Sequence, residues 1–305
     1  MLTLGFDTSN YATSLAVYDT CSKEVVCDKK KFLPVRAGQL GLRQSDALFH
    51  HTAALPGLLE ELAAQVDLTK VEAVGVSARP RPVEGSYMPC FLAGVSAATA
   101  FSAAKGIPLV QTTHQQGHIA AALYASGDES LFSRQALVFH VSGGTTDLLL
   151  CQGADSVECI GTSTDLYAGQ AVDRVGVRLG FAFPAGAKVS ELAAQCTEPI
   201  RPKSSVKGTQ CSLSGLENQC NQLLASGKSQ AYVCRYCLLC IAETAYKMVV
   251  NARMSHPDLP VVMSSDVIQK ELSGRLPGAH FVPGRFSSDN AIGVALLAGR
   301  EVCHD

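Results

Sequence analysis

The sequence contains no tryptophan, and only 17% of its 305 residues are charged. Lys and Arg number 25 against 27 Asp and Glu, a net charge of −2, and neither sign forms a long block. A broad electropositive face for nucleic acid is therefore not written into the composition. Contact with RNA would need a local patch or a helper subunit. No apolar run reaches the roughly 18 residues that a membrane-spanning helix requires. The opening residues, Met1-Leu2-Thr3-Leu4-Gly5-Phe6-Asp7, lack a basic leader region and pass straight into a strand pattern. No signal peptide is expected, and the expected location is the cytoplasm, away from membranes. The apolar fraction of 47% is that of a folded chain and leaves no room for long disordered tails.

Cysteine is plentiful, with twelve residues. Without an export signal, disulfides are not expected. Cys151, Cys159 and Cys220 stand where apolar strand or helix residues belong, which suits the thiol as a small buried hydrophobe. Cys234, Cys237 and Cys240 have the spacing of iron–sulfur ligands. They fall, however, inside an uninterrupted helical pattern from Gln230 to Met254, and no fourth Cys follows at a cluster-like distance. They are expected to lie along a helix face.

A chain of 305 residues exceeds what one core usually spans, so two lobes are expected. Thr3 to Phe6 and Thr13 to Tyr18 read as two strands joined by a polar turn, and residues 24–33 can add a third. Apolar residues then recur at helical spacing from Ser45 to Gln65. A strand at Ala73 to Ser77, a Pro-rich loop, a small-residue helix from Cys90 to Ala104 and a strand at Pro108 to Thr112 follow. The second half restarts in the same way. Ala136 to Val141 is a strand, Ser142-Gly143-Gly144-Thr145-Thr146 a glycine-rich turn, and Asp147 to Cys151 a strand. The pattern strand, Ser/Thr-rich turn, strand thus occurs once per half. Turns without bulky side chains let backbone N–H groups approach phosphate oxygens. The expected fold class is α/β, a two-lobed actin-like ATPase fold with duplicated β-hairpin and α-helix lobes. Its expected parts are an N-terminal lobe at 1–132, a C-terminal lobe at 133–288, and a helix at 289–305 packing back on the first lobe.

Between these landmarks, Asp165 to Asp173 reads as a loop entering a helix, Phe183 to Gly186 as a turn, and residues 199–215 as a Pro/Lys/Ser-rich loop. The helix at Gln230 to Met254 leads to a strand, Leu259 to Met263, and a polar turn, Ser264-Ser265-Asp266. Ser287-Ser288-Asp289-Asn290 opens a last helix, with Ser or Asp as its N-cap.

His114-Gln115-Gln116-Gly117-His118 places two imidazoles four residues apart, on one face of any helix they share. Such a pair serves as metal ligands or as ordinary capping and surface histidines. Asp289 can add a carboxylate from another helix start. Two His and one carboxylate with open positions suit Fe(II), Zn(II) or Mn(II).

The order of these segments resembles the TsaD family of tRNA threonylcarbamoyladenosine transferases, formerly described as glycoproteases. The resemblance begins at Gly5-Phe6-Asp7-Thr8-Ser9 and passes through the HxxxH segment, Val141-Ser142-Gly143-Gly144, Ala168 to Arg174 and Ser212 to Leu216. It ends at Asp289-Asn290. It implies that His114, His118 and Asp289 hold one divalent ion, Fe(II) or Zn(II). It also implies that Val141, Ser142, Gly143, Gly144, Thr145, Asp173 and Gly186, with Gln269, line a pocket for ATP, ADP or an acyl-adenylate. The activity implied is transfer of a threonylcarbamoyl group from its adenylate to the tRNA adenosine beside the anticodon. TsaB-like and TsaE-like proteins and tRNA are the implied partners.

Five segments depart from the family pattern, one of them the stretch before Asp173, which has Gln170 where a Glu is typical. Asn10-Tyr11-Ala12-Thr13 replaces Cys-Asp-Glu-Thr, so Tyr11 and Ala12 stand where an acidic pair is usual and no catalytic acid or base is assigned. Thr145 replaces a His. Ser264-Ser265 replaces a Gly-Gly, with Gln269 in the place of an Asn. Arg79-Pro80-Arg81-Pro82 replaces a Gly-Pro-Gly loop. Transfer is therefore expected to be impaired. The alternatives are a nucleotide-binding paralogue acting as a non-catalytic partner, and an O-carbamoyltransferase acting on a small molecule. Protease chemistry has no support: the chain has no HExxH helix and no Ser-His-Asp or Cys-His set.

Overall fold

The computed structural model describes residues 1–9, 11–35, 42–141, 144–264 and 268–303. In chain order it begins with β1 (Leu2–Asp7), β2 (Ala12–Asp19), β3 (Glu24–Phe32), α1 (Gln44–Ala63), β4 (Val71–Arg79), α2 (Phe91–Lys105), β5 (Leu109–Thr113) and α3 (His114–Ala125). It continues with β6 (Gln135–Val141), β7 (Thr146–Gln152), β8 (Ser156–Thr162), α4 (Ala168–Arg178), α5 (Gly186–Ala193), β9 (Ser205–Lys207), β10 (Gln210–Ser212), α6 (Ser214–Ala225) and α7 (Gln230–Arg253). The last elements are β11 (Val261–Ser264), α8 (Gln269–Leu272), β12 (Ala279–Phe281), α9 (Gly284–Ser287) and α10 (Ile292–Cys303).

The chain divides into two compact units. One takes Met1–Val35, Gly41–Phe132 and Ser288–Asp305, and the other centres on Ser133–Ser287. In the first, five strands lie in the order β3-β2-β1-β4-β5, with β1, β2 and β3 antiparallel and β4 and β5 parallel to β1. Period-two alternation explains how β1 is used. Leu4 and Phe6 are fully buried in the core shared with Leu55, Leu58 and Leu62 of α1. Thr3 and Gly5 face the other way, toward α10. The Thr3 hydroxyl donates to Ala295 O at 2.7 Å, and a Cβ on Gly5 would sit 2.5 Å from Ala291 O. Gly75 of β4 meets α10 in the same manner, 2.5 Å from Val294 O. Two glycines therefore form the bed on which α10 lies, with its backbone against the sheet.

The second unit has the sheet order β12-β11-β6-β7-β8, again three antiparallel strands followed by two parallel ones. Its core joins Leu137, Phe139 and Leu148 of the sheet to α4, α5, α6 and α7. Cys234, Cys237 and Cys240 are buried on α7 with Cys220 of α6, and burial holds the Cys234 and Cys240 thiols up at about 11. They pack as hydrophobes. Among the described residues no helix is long and apolar enough to cross a membrane.

The structure corrects four sequence expectations. Residues 199–215 are not one loop: β9 and β10 form a two-stranded ladder there, and α6 begins at Ser214. Three-residue strands carry too little alternation to be read, and the polar loop composition hid the start of α6. Asp173 lies inside α4, which starts at Ala168, rather than in the loop before a helix. Cys151 and Cys220 are buried, but Cys159 is exposed, since β8 is a sheet edge of largely exposed residues. The capping acceptor before α10 is Asn290, whose Oδ1 takes the Ile292 N–H at 3.0 Å, so the Asp289 carboxylate is not spent on its own helix.

Candidate metal centre

The site is built on the start of α3 and on the segment just before α10. Thr113 closes β5 and caps α3: its hydroxyl accepts from Gln116 N–H at 3.2 Å, while Gln116 Oε1 accepts from Thr113 N–H at 3.0 Å. This reciprocal capping box fixes the helix phase, so His114 is the first helical residue and His118 lies one turn above it. The two rings stand edge to face with centroids 4.3 Å apart. Asp289 enters from the segment preceding α10.

Three donor atoms converge. His114 Nε2 and His118 Nε2 lie 3.0 Å apart, and Asp289 Oδ1 is 3.6 Å from the first and 3.5 Å from the second. Ligands about 2.0–2.1 Å from a tetrahedrally held ion lie about 3.3–3.4 Å from one another, so this triangle has the size of one face of such a shell. Among the described residues it is the one group of His, Cys, Asp or Glu gathered closely enough to hold a metal ion.

A carboxylate behind His114 sets its tautomer. Asp7 Oδ2 lies 3.0 Å from His114 Nδ1, and Ser9 Oγ lies 2.8 Å from the same nitrogen. An ionised carboxylate only accepts, so Nδ1 carries the proton and Nε2 turns its lone pair toward Asp289 and His118. Asp7 is itself held by the Ser9 N–H at 2.9 Å. Burial pulls the His114 pKa down, but the Asp7 charge and hydrogen bond, joined by Asp289, leave it raised. Burial and the neighbouring His114 lower His118. Burial works against the Asp289 carboxylate, yet the hydrogen bond from His118 and the charges of both histidines hold it at about 2. The site thus favours a carboxylate facing imidazole nitrogens, the donor set of a divalent cation.

The positions of Tyr11 and Ala12 differ. Tyr11 donates its backbone N–H to Asp289 Oδ2 at 3.4 Å, whereas Ala12 is fully buried in β2. By the two-residue alternation of β2, Ala12 stands on the same sheet face as Ser14, the cross-strand neighbour of Asp7, so a carboxylate restored at 12 would project on the side of the site.

The nucleotide-pocket candidates all belong to the second unit. Ser142 and Gly143 lie outside the described residues. Val141 ends β6, and Gly144 and Thr145 precede β7. The start of β7 is tied to the start of α4 by Ala168 N–H donating to Thr146 Oγ1 at 2.7 Å. Asp173, on α4, accepts from Ala185 N–H at 2.8 Å, which brings it beside Gly186 at the start of α5; burial pushes its carboxyl up. A Cβ on Gly144 or Gly186 would meet nothing within 4 Å. Gln269 opens α8 with an exposed side chain.

Sequence reasoning missed Asp165. It accepts from Leu166 N–H at 2.6 Å, Leu213 N–H at 2.8 Å, Ser214 Oγ at 2.5 Å and the Ser212 hydroxyl, clamping the loop after β8 to the start of α6. The Ser-x-Ser of Ser212-Leu213-Ser214 was its only signal.

Comparison with known proteins places this geometry. A curated tRNA N6-adenosine threonylcarbamoyltransferase of Streptococcus pneumoniae (strain ATCC 700669 / Spain 23F-1) is 33% identical over 199 residues, 63% of this chain and 55% of that protein. The corresponding protein of strain CGSP14 is 32% identical over the same shares. The chain therefore spans about half the length (55%) of the curated relatives it matches. Among solved structures, HypF of T. kodakarensis has a TM-score of 0.61 at 13% identity, covering 99% of this chain and 48% of that one. A ROK family protein from Streptococcus pneumoniae TIGR4, in complex with sucrose, has a TM-score of 0.54 at 11% identity, with 100% of each chain covered. These likenesses show the fold alone. With the repeated sheet order, they establish the actin-like ATPase fold that the paired hairpins led us to expect. A family model described as TsaD, tRNA N6-adenosine threonylcarbamoyltransferase, matches residues 38–296, and the chain belongs to that family.

Proposed function

We propose that the chain is a metal-dependent transferase, moving a threonylcarbamoyl group from its adenylate to the tRNA adenosine beside the anticodon. The observation that carries this reading is the His114–His118–Asp289 triangle, with Asp7 orienting His114, in a chain of this family. Fe(II) or Zn(II) held there would supply Lewis acidity toward the acyl carbonyl. His114 and His118 would bind through Nε2 and Asp289 through Oδ1, while Asp7 keeps the proton on the far nitrogen of His114. The turn from Val141 to Thr145, with Asp173, Gly186 and Gln269, would hold ATP, ADP or the acyl-adenylate through backbone groups. TsaB-like and TsaE-like proteins and tRNA belong to the same proposal, as does a cytoplasmic location.

Transfer is slowed in this reading, because Tyr11 and Ala12 offer no carboxylate base. The lack of a carboxylate at both 11 and 12 supports a second reading, a nucleotide-binding partner without catalysis. Complementation separates the two: the gene should restore some threonylcarbamoyladenosine to tRNA in cells lacking the ordinary enzyme. Complete failure, with the protein folded and metal-loaded, supports the non-catalytic partner.

A further inference from the structure

One row of side chains crosses the first sheet beside the candidate metal centre. Ser14 of β2 pairs directly with Asp7 of β1 on one side and with Lys30 of β3 on the other. Directly paired residues in neighbouring strands project from the same face, so Lys30, Ser14 and Asp7 stand side by side. Both ends of the row reach the centre. Asp7 holds His114, and Lys30 Nζ donates to Ser288 Oγ at 2.8 Å, one residue before Asp289.

The middle of the row carries an unspent group. Ser14 is 2% exposed, and its hydroxyl has no hydrogen-bond partner among the described residues. Leaving a buried hydroxyl unpaired is costly, and native proteins rarely do so without reason. Ser77, one residue beyond the last β1–β4 pair of Phe6 with Val76, projects from the same face as Asp7 and carries a second such hydroxyl. Lys30 is a half-buried ammonium; burial pulls its pKa down, and the charges of Asp289, Asp28 and Asp7 oppose that pull.

Charge counting shows what the row lacks. Asp7 and Asp289 bring two negative charges, which a divalent ion balances. Lys30, whose other carboxylate neighbour Asp28 is exposed to solvent, then places an ammonium next to hydroxyl donors on the buried side of the row. We propose that Lys30 and Ser14 form an anchor for a monoanionic oxyanion, a carboxylate or phosphate oxygen, bound beside the metal. This rests on the metal-centre reading above. The oxyanion has two possible sources: the carboxylate of the acyl group being transferred, or a phosphate. A lysine that served only to neutralise the two carboxylates would compete with the metal and leave anion binding unaffected.

The experiment is calorimetry on the Zn(II)-loaded chain with two probes, N-carbamoyl-L-threonine and inorganic phosphate, together with elemental analysis of every variant. Lys30→Met should keep its metal and lose affinity for the bound probe on the order of 10- to 100-fold, the worth of a hydrogen bond to a charged group. Lys30→Arg should retain most of the affinity. Ser14→Ala should bind the probe more weakly and melt at a higher temperature, because it removes an unpaired buried hydroxyl. A loss seen with N-carbamoyl-L-threonine assigns the anchor to the acyl carboxylate, and a loss confined to phosphate assigns it to the phosphate source. Equal affinity in wild type and Lys30→Met, or no binding of either probe to the metal-loaded protein, overturns the proposal. Should the chain hold no ion, the metal reading falls. The anchor is then judged by the same titrations without metal: Lys30-dependent binding upholds it, and its absence overturns it.

Discussion

Gly293 of α10 lies directly against Gly117 of α3: a Cβ on Gly293 would stand 1.9 Å from Gly117 O and 2.8 Å from Ala121 N. Gly117 sits between the two histidines, and Gly293 sits four residues after Asp289. The close approach of backbone to backbone brings the carboxylate-bearing segment within reach of both imidazoles. Neither contact atom is a movable side-chain end, so a methyl group there must push the helices apart.

Gly293→Ala should therefore destabilise the chain by about 1–3 kcal/mol or more, as overpacked cores do, and weaken metal binding at the same time. Gly57, exposed in the interior of α1 with nothing within 4 Å of a built Cβ, is the control. Gly57→Ala should stabilise by about 0.5–1 kcal/mol through reduced chain entropy. Thermal unfolding of the two variants checks both signs.

The orienting role of Asp7 gives a graded expectation. His114→Ala or His118→Ala should strip the chain of its roughly one divalent ion, measured by elemental analysis. Asp7→Asn leaves all three donors in place and loses only the anionic partner of His114 Nδ1. Its affinity for Zn(II) should fall about 10- to 100-fold, the usual effect of removing such a partner. Metal content unchanged in His114→Ala would rule out the site.

The Asp165 clamp predicts a pH dependence. Burial works against its carboxylate, but the Ser212 and Ser214 hydroxyls and the Leu213 and Leu166 N–H groups together outweigh it and hold it well below the usual range. A carboxylate depressed in the folded state contributes stability that is complete above its unfolded pKa, about 3.9, and is lost as pH falls below that. Asp165→Asn should thus be less stable than wild type at pH 7, with the gap closing in acid. A gap as wide at pH 2 as at pH 7 would contradict this.

Gly144→Val tests the nucleotide reading. A Cβ at 144 meets no protein atom within 4 Å, so the variant should melt with wild type. Its binding of ATP or ADP, measured by calorimetry, should be lost if phosphate oxygens approach this backbone. Binding undiminished in Gly144→Val would place the nucleotide elsewhere.

Much of the fold could be read from the chain, for identifiable reasons. The strand Leu2–Asp7 alternates apolar with small or polar residues and Gln135–Val141 is a nearly continuous apolar run, each with a Ser/Thr or Gly turn behind it, and such patterns read clearly. The four-residue spacing of His114 and His118 put both rings on one face before the helix was known. The edge strand β8, with one buried position in seven, and the three-residue β9, β10 and β12 present no apolar face long enough to detect. Lys30 and Ser14 were invisible for another reason. Their adjacency to Asp7 exists only once β1, β2 and β3 are paired in register, and register is set by tertiary packing rather than local sequence. Asp165 was hidden in the same way, by partners 47 to 49 residues away.

The central claim is that the His114–His118–Asp289 centre supports threonylcarbamoyl transfer despite the missing acidic pair. The most direct measurement incubates the metal-loaded chain with threonylcarbamoyl-adenylate, tRNA and the TsaB-like and TsaE-like proteins, and quantifies threonylcarbamoyladenosine. Slow product formation is expected, disappearing in His118→Ala and on chelation, and rising when half-buried Tyr11 becomes Asp together with Ala12→Glu. General acid–base groups are worth about 10²–10⁴-fold, so even partial repair would be measurable. Product formed equally by His118→Ala, or none formed by a folded, metal-loaded wild type, would contradict it.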